Sequence, residues 1–306
     1  MSVPSVDATQ VQRTKRADSV SNTIRAYFDL TKPRIMLLLL FTAYCAMLVG
    51  ARGVPDARVT LWTLLGLAMS CGGSASLNMW YDRDIDALMK RTSSRPVPAG
   101  LVQAQNALWF GLILEVLSVL LLASMVNVLT ALLSFGGFVY YVFVYTMWLK
   151  RRTPQNIVIG GGAGAFPPLV GWAAVTGHLG IAALLMFAIV FFWTPPHFWS
   201  LAIYKNDDYV KANIPMMPVV RGVRTTKWQS FGYTLVLLAS SVGLYFTGSV
   251  NLVYLIVALV AGLAFTVYTV ILIREDDSSV KWAKKTFKFS LLYLPVVFLC
   301  MVVGMK

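Results

Sequence analysis

The sequence predicts an all-α fold, a polytopic membrane bundle of about nine transmembrane helices around a central cavity. Three observations predict it. Of 306 residues, 58% are hydrophobic and only 13% charged, an apolar share above and a charged share below those of soluble domains. Apolar runs of the roughly 20 residues that cross a bilayer recur along most of the chain. The basic residues gather in alternate connections between those runs.

Taken in order, the runs lie near 34–51, 59–79, 103–123, 125–148, 156–176, 180–200, 229–248, 250–273 and 289–305. Residues 1–33 are polar and basic, without a short apolar core before a small-residue cleavage site. They read as a cytoplasmic N-terminal tail and not as a secretory signal. Residues 34–306 form the transmembrane domain, and no soluble domain is left over. With the N-terminus in the cytoplasm and the C-terminus outside, only Arg52, Arg58 and Lys306 of the 26 lysines and arginines fall on the outer side. That bias fixes orientation in what is taken to be a bacterial cell membrane, and it favours an odd number of spans. It also accounts for the net charge of +13 without nucleic acid, whose partners need one continuous soluble basic face. Cys45, Cys71 and Cys300 each sit alone in an apolar run and read as small buried hydrophobes.

Polar groups are costly in such a fold, so they mark function. Two inner connections stand out. The first runs from Asn78 through Asp82, Arg83, Asp84 and Asp86 to Lys90, Arg91 and Arg95; the second holds His197, Lys205, Asn206, Asp207, Asp208, Tyr209 and Lys211. Positions four apart on a helix differ by about 40°, so Asn78, Asp82 and Asp86 form one stripe if the second span continues past Trp80. Asp84 then points away and is merely solvated. The stripe is about 12 Å long at 1.5 Å rise per residue, which suggests two ions. Oxygen ligands of this kind suit Mg²⁺ carrying phosphate oxygens. Lys90, Arg91 and Arg95 could neutralise the remaining phosphate charge. The alternative is an ordinary solvated loop with topology-setting arginines. The second connection lies four spans later at the equivalent end, so two halves could close a polar mouth over an apolar cavity.

The Asn-x-x-x-Asp-x-x-x-Asp run at Asn78, Asp82 and Asp86 resembles the first signature of the intramembrane prenyltransferases typified by 4-hydroxybenzoate polyprenyltransferase. Arg91-Thr92-Ser93-Ser94-Arg95-Pro96, Thr194-Pro195-Pro196-His197-Phe198-Trp199 and Asn213-Ile214-Pro215-Met216-Met217-Pro218 are similar to the protohaem IX farnesyltransferase (haem O synthase) branch. The likeness covers almost the whole chain. One departure stands in the second connection, where the superfamily's second Asp-x-x-x-Asp falls on Lys205 and Tyr209.

The resemblance implies transfer of a farnesyl group from farnesyl diphosphate to a vinyl group of haem B with addition of water, giving haem O and diphosphate for cytochrome oxidase. It implies Asn78, Asp82 and Asp86, with Asp208, as catalytic metal-binding residues for Mg²⁺. Lys90, Arg91, Arg95, Lys205 and Tyr209 are then the diphosphate contacts. His197 is then a haem-binding residue, an imidazole being a common iron ligand; a hydrogen-bonded interfacial histidine is the alternative. Haem A synthase or a terminal oxidase would be the protein partner, and the lipid bilayer the solvent.

Other features divide between function and packing. Glu115 is the one carboxylate near mid-span and is either functional or buried against a neighbouring helix. Gly160, Gly161, Gly162 and Gly164 read mainly as packing positions. Lys32 and Arg34 either reach the phosphate or snorkel, and His178 is incidental. The rival readings are prenylation of an aromatic quinone precursor, transport of an anionic substrate, and non-catalytic haem binding.

Overall fold

In hydrocarbon, large apolar side chains can face outward while small and polar ones face neighbouring helices. The helix at Ala104–Met125 follows that rule along its length. Ala107, Gly111, Glu115, Ser118 and Leu122 are buried on one stripe, and Trp109, Ile113, Val116, Leu117 and Leu120 are exposed. The protein is described by a computed structural model over residues 21–306, and the tail expectation for residues 1–20 lies outside the described residues.

The elements are α1 (21–30), α2 (Pro33–Ala51), α3 (Ala57–Tyr81), α4 (Arg83–Leu88), α5 (Ala104–Met125), α6 (Val128–Val139) running into a π-helical stretch (Tyr140–Leu149), α7 (Asn156–Gly160), a 3₁₀ turn (Gly161–Ala165), α8 (Phe166–Thr176), α9 (Ile181–Tyr204), α10 (Asn206–Lys211), α11 (Met217–Tyr245), α12 (Leu252–Arg274) and α13 (Lys281–Val303). The fold is all-α, as expected. Among the described residues, seven helical segments are long and apolar enough to cross a membrane: α2, α5, α6 with its π stretch, α7 to α8, α9, α12 and α13. The other two expected spans coincide with α3 and α11, equally long but less apolar. In α3 the reason is the buried series Ser70, Gly72, Gly73, Ser74, Ser76 and Asn78; in α11, whose helical geometry breaks at Gly222, it is the buried polar series Thr226, Lys227, Ser230, Thr234, Ser240 and Ser241.

Close helix approach is built on glycine. A methyl on Gly111 of α5 would lie 1.9 Å from Leu77 Cδ1 and 2.9 Å from the Gly73 carbonyl of α3, and one on Gly171 of α8 would lie 2.1 Å from the Ala43 carbonyl of α2. Gly160 and Gly161 have the packing role expected of them, against Tyr145 and Thr194, whereas Gly164 faces open space. The largest apolar core joins α2, α8, α9, α11, α12 and α13, with Trp193, Phe265, Tyr293 and Phe298 at its centre. A second core ties the two polar connections together: Ile85 and Met89 from one, Tyr209, Ala212, Ile214 and Met216 from the other, closed by Ile157 and Trp199. At the same end, Ala26 and Leu30 of α1 are buried with Met79, Val97, Val102 and Ala107. These small cores pack the polar end of the bundle together.

Candidate active site

The acidic stripe forms because the helical path continues through Asp82. The Asp82 N–H donates to the Asn78 carbonyl at 2.9 Å, and the Asp86 N–H donates to the Asp82 carbonyl at 2.8 Å. Asn78, Asp82 and Asp86 therefore share a face that is closed to solvent, at 2%, 0% and 0% exposure. Carboxylates buried so completely need partners. The Asn78 amide donates to Asp82 Oδ2 at 2.7 Å and to Thr146 Oγ1 at 3.1 Å. Asp82 is paired with Lys150 on Oδ2 and with Arg151 on Oδ1. Arg95 Nη1 meets Asp86 Oδ2 at 2.6 Å, and the Thr92 hydroxyl donates to the Asp86 carbonyl at 2.8 Å.

Asp84 faces away from the stripe, as expected, but it is not merely solvated. Arg151 grips it in bidentate fashion, with two contacts of 2.7 Å, and also donates to the Tyr81 carbonyl. Those bonds hold the Asp84 carboxyl below its ordinary pKa and raise that of Arg151. Asp84 thus holds an arginine that reaches Asp82.

The first connection of the chain enters the same cluster. Lys32 Nζ donates to Asn78 Oδ1 at 2.7 Å and to the Tyr141 hydroxyl at 3.3 Å. Burial first, then the charges of Arg95 and Lys150, hold its ammonium well below the usual lysine pKa; Asp86 and Asp82 oppose that shift. Of the two residues flanking Pro33, Lys32 is the one held in this cluster.

Tyr141, Thr146 and Lys150 were absent from the expected site, and the winding of the helix explains why. On an α-helix, positions 141 and 150 fall on opposite faces at 100° per residue. The π-helical stretch changes this: Lys150 N–H donates to the Tyr145 carbonyl and Thr146 Oγ1 to the Tyr141 carbonyl, both five residues back. π-turns are rare and often lie at functional sites. Here one brings a tyrosine, a threonine and a lysine onto Asn78 and Asp82.

The second connection contributes unevenly. Tyr209 is buried, its phenol 3.5 Å from Arg91 Nη2, and burial raises its pKa. That contact joins two of the expected diphosphate residues. Asp208 is partly exposed, and Lys90 is exposed; neither has an ion-pair partner among the described residues. Lys205 is turned elsewhere, its Nζ 4.8 Å from the Tyr204 ring centroid. His197 is 7% exposed in α9, stacked on Trp193 at 4.2 Å. Its Nδ1 lies 2.7 Å from Ser290 Oγ of α13. The Ser290 hydroxyl donates to the Phe287 carbonyl at 2.6 Å, so its oxygen must accept the proton of His197 Nδ1. The other nitrogen, Nε2, then carries a free lone pair.

The oxygen donors fit a hard divalent cation such as Mg²⁺. Asp86 Oδ1 is buried without a hydrogen-bond partner, and buried carboxylate oxygens are rarely left so. Asn78, Asp82 and Asp86 are the residues that would hold the metal. Around them Lys32, Arg95, Lys150 and Arg151 form a wall of donors suited to phosphate oxygens. Glu115 takes no part, being buried in the seam between α5 and α3, where its backbone N opposes Gly73.

Comparison with known proteins bears on this geometry. Residues 39–292 match the model of the UbiA prenyltransferase family. A relative from Symbiobacterium thermophilum named "Protoheme IX farnesyltransferase" is 55% identical over 278 residues, 91% of this chain and 93% of its own. "Protoheme IX farnesyltransferase 2" of Mesorhizobium japonicum is 49% identical over 274 residues, 89% of this chain and 87% of its own. Among solved structures, a digeranylgeranylglyceryl phosphate synthase shares the fold with a TM-score of 0.78 at 18% identity, covering 92% of this chain and 98% of its own. A UbiA homologue from Archaeoglobus fulgidus bound to DMAPP and Mg²⁺ has a TM-score of 0.65 at 18% identity, covering 90% and 99%.

Proposed function

The chain belongs to the UbiA prenyltransferase family and, within it, to the protohaem IX farnesyltransferases; from that premise we propose that it transfers the farnesyl group of farnesyl diphosphate to a vinyl group of haem B, with addition of water, giving haem O and diphosphate. The observation that carries the proposal is the fully buried pair Asp82 and Asp86 under three cations, Arg95, Lys150 and Arg151, with the Lys32 Nζ beside them on Asn78. The acceptor follows from the relatives' names, protohaem IX farnesyltransferase.

In the reaction the C1–O bond of the farnesyl group breaks and the diphosphate leaves with the electron pair. Arg95, Lys150 and Arg151 oppose the charge that grows on it, with Lys32 as a further hydrogen-bond donor, favouring the transition state over the ground state. Asn78, Asp82 and Asp86 are the residues that would hold Mg²⁺, which when bound would add positive charge to stabilise the leaving group. Arg91, held by the Tyr209 hydroxyl at 3.5 Å, would be a further diphosphate contact. The vinyl π electrons form the new carbon–carbon bond, and water then adds to the substituent carbon and loses a proton. The aromatic series Phe166, Phe187, Phe191 and Phe192, each ring within 5.9 Å of the next and the last three packed against the apolar core, would give the farnesyl chain surroundings poor in water. His197 Nε2 is the lone pair that would hold the haem iron.

The protein is an integral membrane protein, and its basic loops support a reading in which the site lies at the cytoplasmic end, with the N-terminus inside and the C-terminus outside. Haem O would pass to haem A synthase or a terminal oxidase. Purified protein given Mg²⁺, farnesyl diphosphate and haem B should yield haem O by mass spectrometry. Product formed only with an aromatic acid acceptor would overturn the assignment.

A further inference from the structure

The resemblance placed Lys205 with Tyr209 on the diphosphate, but the structure separates them. Tyr209 reaches Arg91, whereas Lys205, capping the end of α9, turns to α13. Its Nζ lies 4.8 Å from the Tyr204 ring centroid, and Lys284 Nζ of α13 lies 5.3 Å from the same centroid. The two ammoniums are thus within about ten ångström of each other, and neither has an ion-pair partner among the described residues. An aromatic face attracts each cation only modestly, while the two repel, so the pair suits a bound anion.

The position of the pair identifies the anion. Tyr204 is seven residues from His197 on the same helix, about 20° from the same face and roughly 10 Å along the axis. The α13 side matches: Ser290 and Phe287 meet His197, and Lys284 lies one turn nearer the basic end. The separation is comparable with that from the centre of a porphyrin to the ends of its propionate arms. We propose that Lys205 and Lys284 bind the two propionate carboxylates of the porphyrin acceptor, orienting the ring with its propionate edge toward the basic end of the bundle. The inference rests on the haem reading above, and it removes Lys205 from the diphosphate site.

Absorbance titrations in the Soret band test it, using haem B and its dimethyl ester, in which both carboxylates are blocked. The wild-type protein should bind haem B at least about tenfold more tightly than the ester, the scale of one charge-assisted contact. A K205Q/K284Q variant should bind the two equally, and K205R/K284R should restore the preference. Affinity for a farnesyl thiolodiphosphate analogue, measured calorimetrically with Mg²⁺, should be the same in all three proteins. Equal binding of haem B and ester by the wild type overturns the inference and leaves the haem reading standing. A K205Q/K284Q variant with weakened analogue binding overturns it by returning these lysines to the diphosphate. Wild-type protein that perturbs neither Soret band overturns the haem reading itself.

Discussion

Asp82 and Asp84 are two residues apart, yet the structure gives them opposite surroundings: Asp82 is sealed under Lys150 and Arg151, and Asp84 is exposed on the far side of Arg151. Asp82→Asn removes a charge from the centre of the stripe and should lower turnover by about two orders of magnitude or more, the scale of a lost transition-state electrostatic contact. Asp84→Asn only loosens Arg151 and should keep turnover within about tenfold, a positioning effect. Equal losses in haem O formation would remove the distinction. Lys150 permits a sharper test, because it touches the very carboxylate assigned to the metal. Without Mg²⁺, Lys150→Met leaves Asp82 with Arg151 and Asn78 alone, and should destabilise the protein by about 1–3 kcal/mol after allowing for the partly exposed lysine. Adding Mg²⁺ with a diphosphate should recover much of that loss in a thermal melt. A variant as stable as wild type in metal-free buffer would show that the pair contributes nothing. The stripe was legible in the sequence because a four-residue spacing is a local property of any helix. The cations were not: Lys32 reaches Asn78 across 46 residues and Lys150 reaches Asp82 across 68, and no periodicity encodes such pairings.

At the scale of elements, the site depends on how closely α3 is held to its neighbour. Gly111 lies against Leu77 and the Gly73 carbonyl, one turn before Asn78, so a larger residue there must push the acidic helix away. Gly111→Val should cost about 1–3 kcal/mol from overpacking and reduce Mg²⁺-dependent binding of the diphosphate analogue. Gly164→Ala, with no atom within 4 Å of the added methyl, should leave both unchanged. Recovery of monodisperse protein from detergent, followed by calorimetry, separates the two variants; a tolerated Gly111→Val would mean that the seam can yield without moving the site. The π-helical stretch is the other element-level determinant. Its residues, Tyr140-Tyr141-Val142-Phe143-Val144-Tyr145-Thr146-Met147-Trp148-Leu149, are an apolar aromatic run indistinguishable by pattern from an α-helical span. The sequence therefore predicts a membrane segment at 125–148 but not the winding that carries Thr146 and Lys150 to the stripe. The less apolar spans tell a related story. α3 and α11 were legible as apolar runs of spanning length, and what lowers their apolarity is the buried polar and small residues that they turn to the bundle interior.

For the molecule as a whole, the decisive asymmetry is between its ends. The stripe, its cations, Tyr209 and the Lys205–Lys284 pair all lie at the end formed by the connections 82–103, 150–155, 205–216 and 275–280, whereas the opposite connections, 52–56, 177–180 and 246–251, carry little charge. An amphipathic donor with a water-borne diphosphate head and an apolar tail fits such a bundle in one direction only, head at the basic end and tail within. If that end faces the cytoplasm, as the bias of lysine and arginine predicts, the leaving diphosphate is released where it dissolves, and the tail stays within the apolar bundle. The orientation can be checked directly. In a background lacking Cys45, Cys71 and Cys300, single cysteines replace exposed residues at either end: Ser93 and Ser278 at the basic end, Arg52 and His178 at the other. A membrane-impermeant maleimide applied to intact cells should label R52C and H178C, and should reach S93C and S278C only after permeabilisation. The reverse pattern would put the diphosphate site outside the cell, where the positive-inside rule forbids this arrangement of loops and where the proposed chemistry would have to find its donor on the wrong side of the membrane.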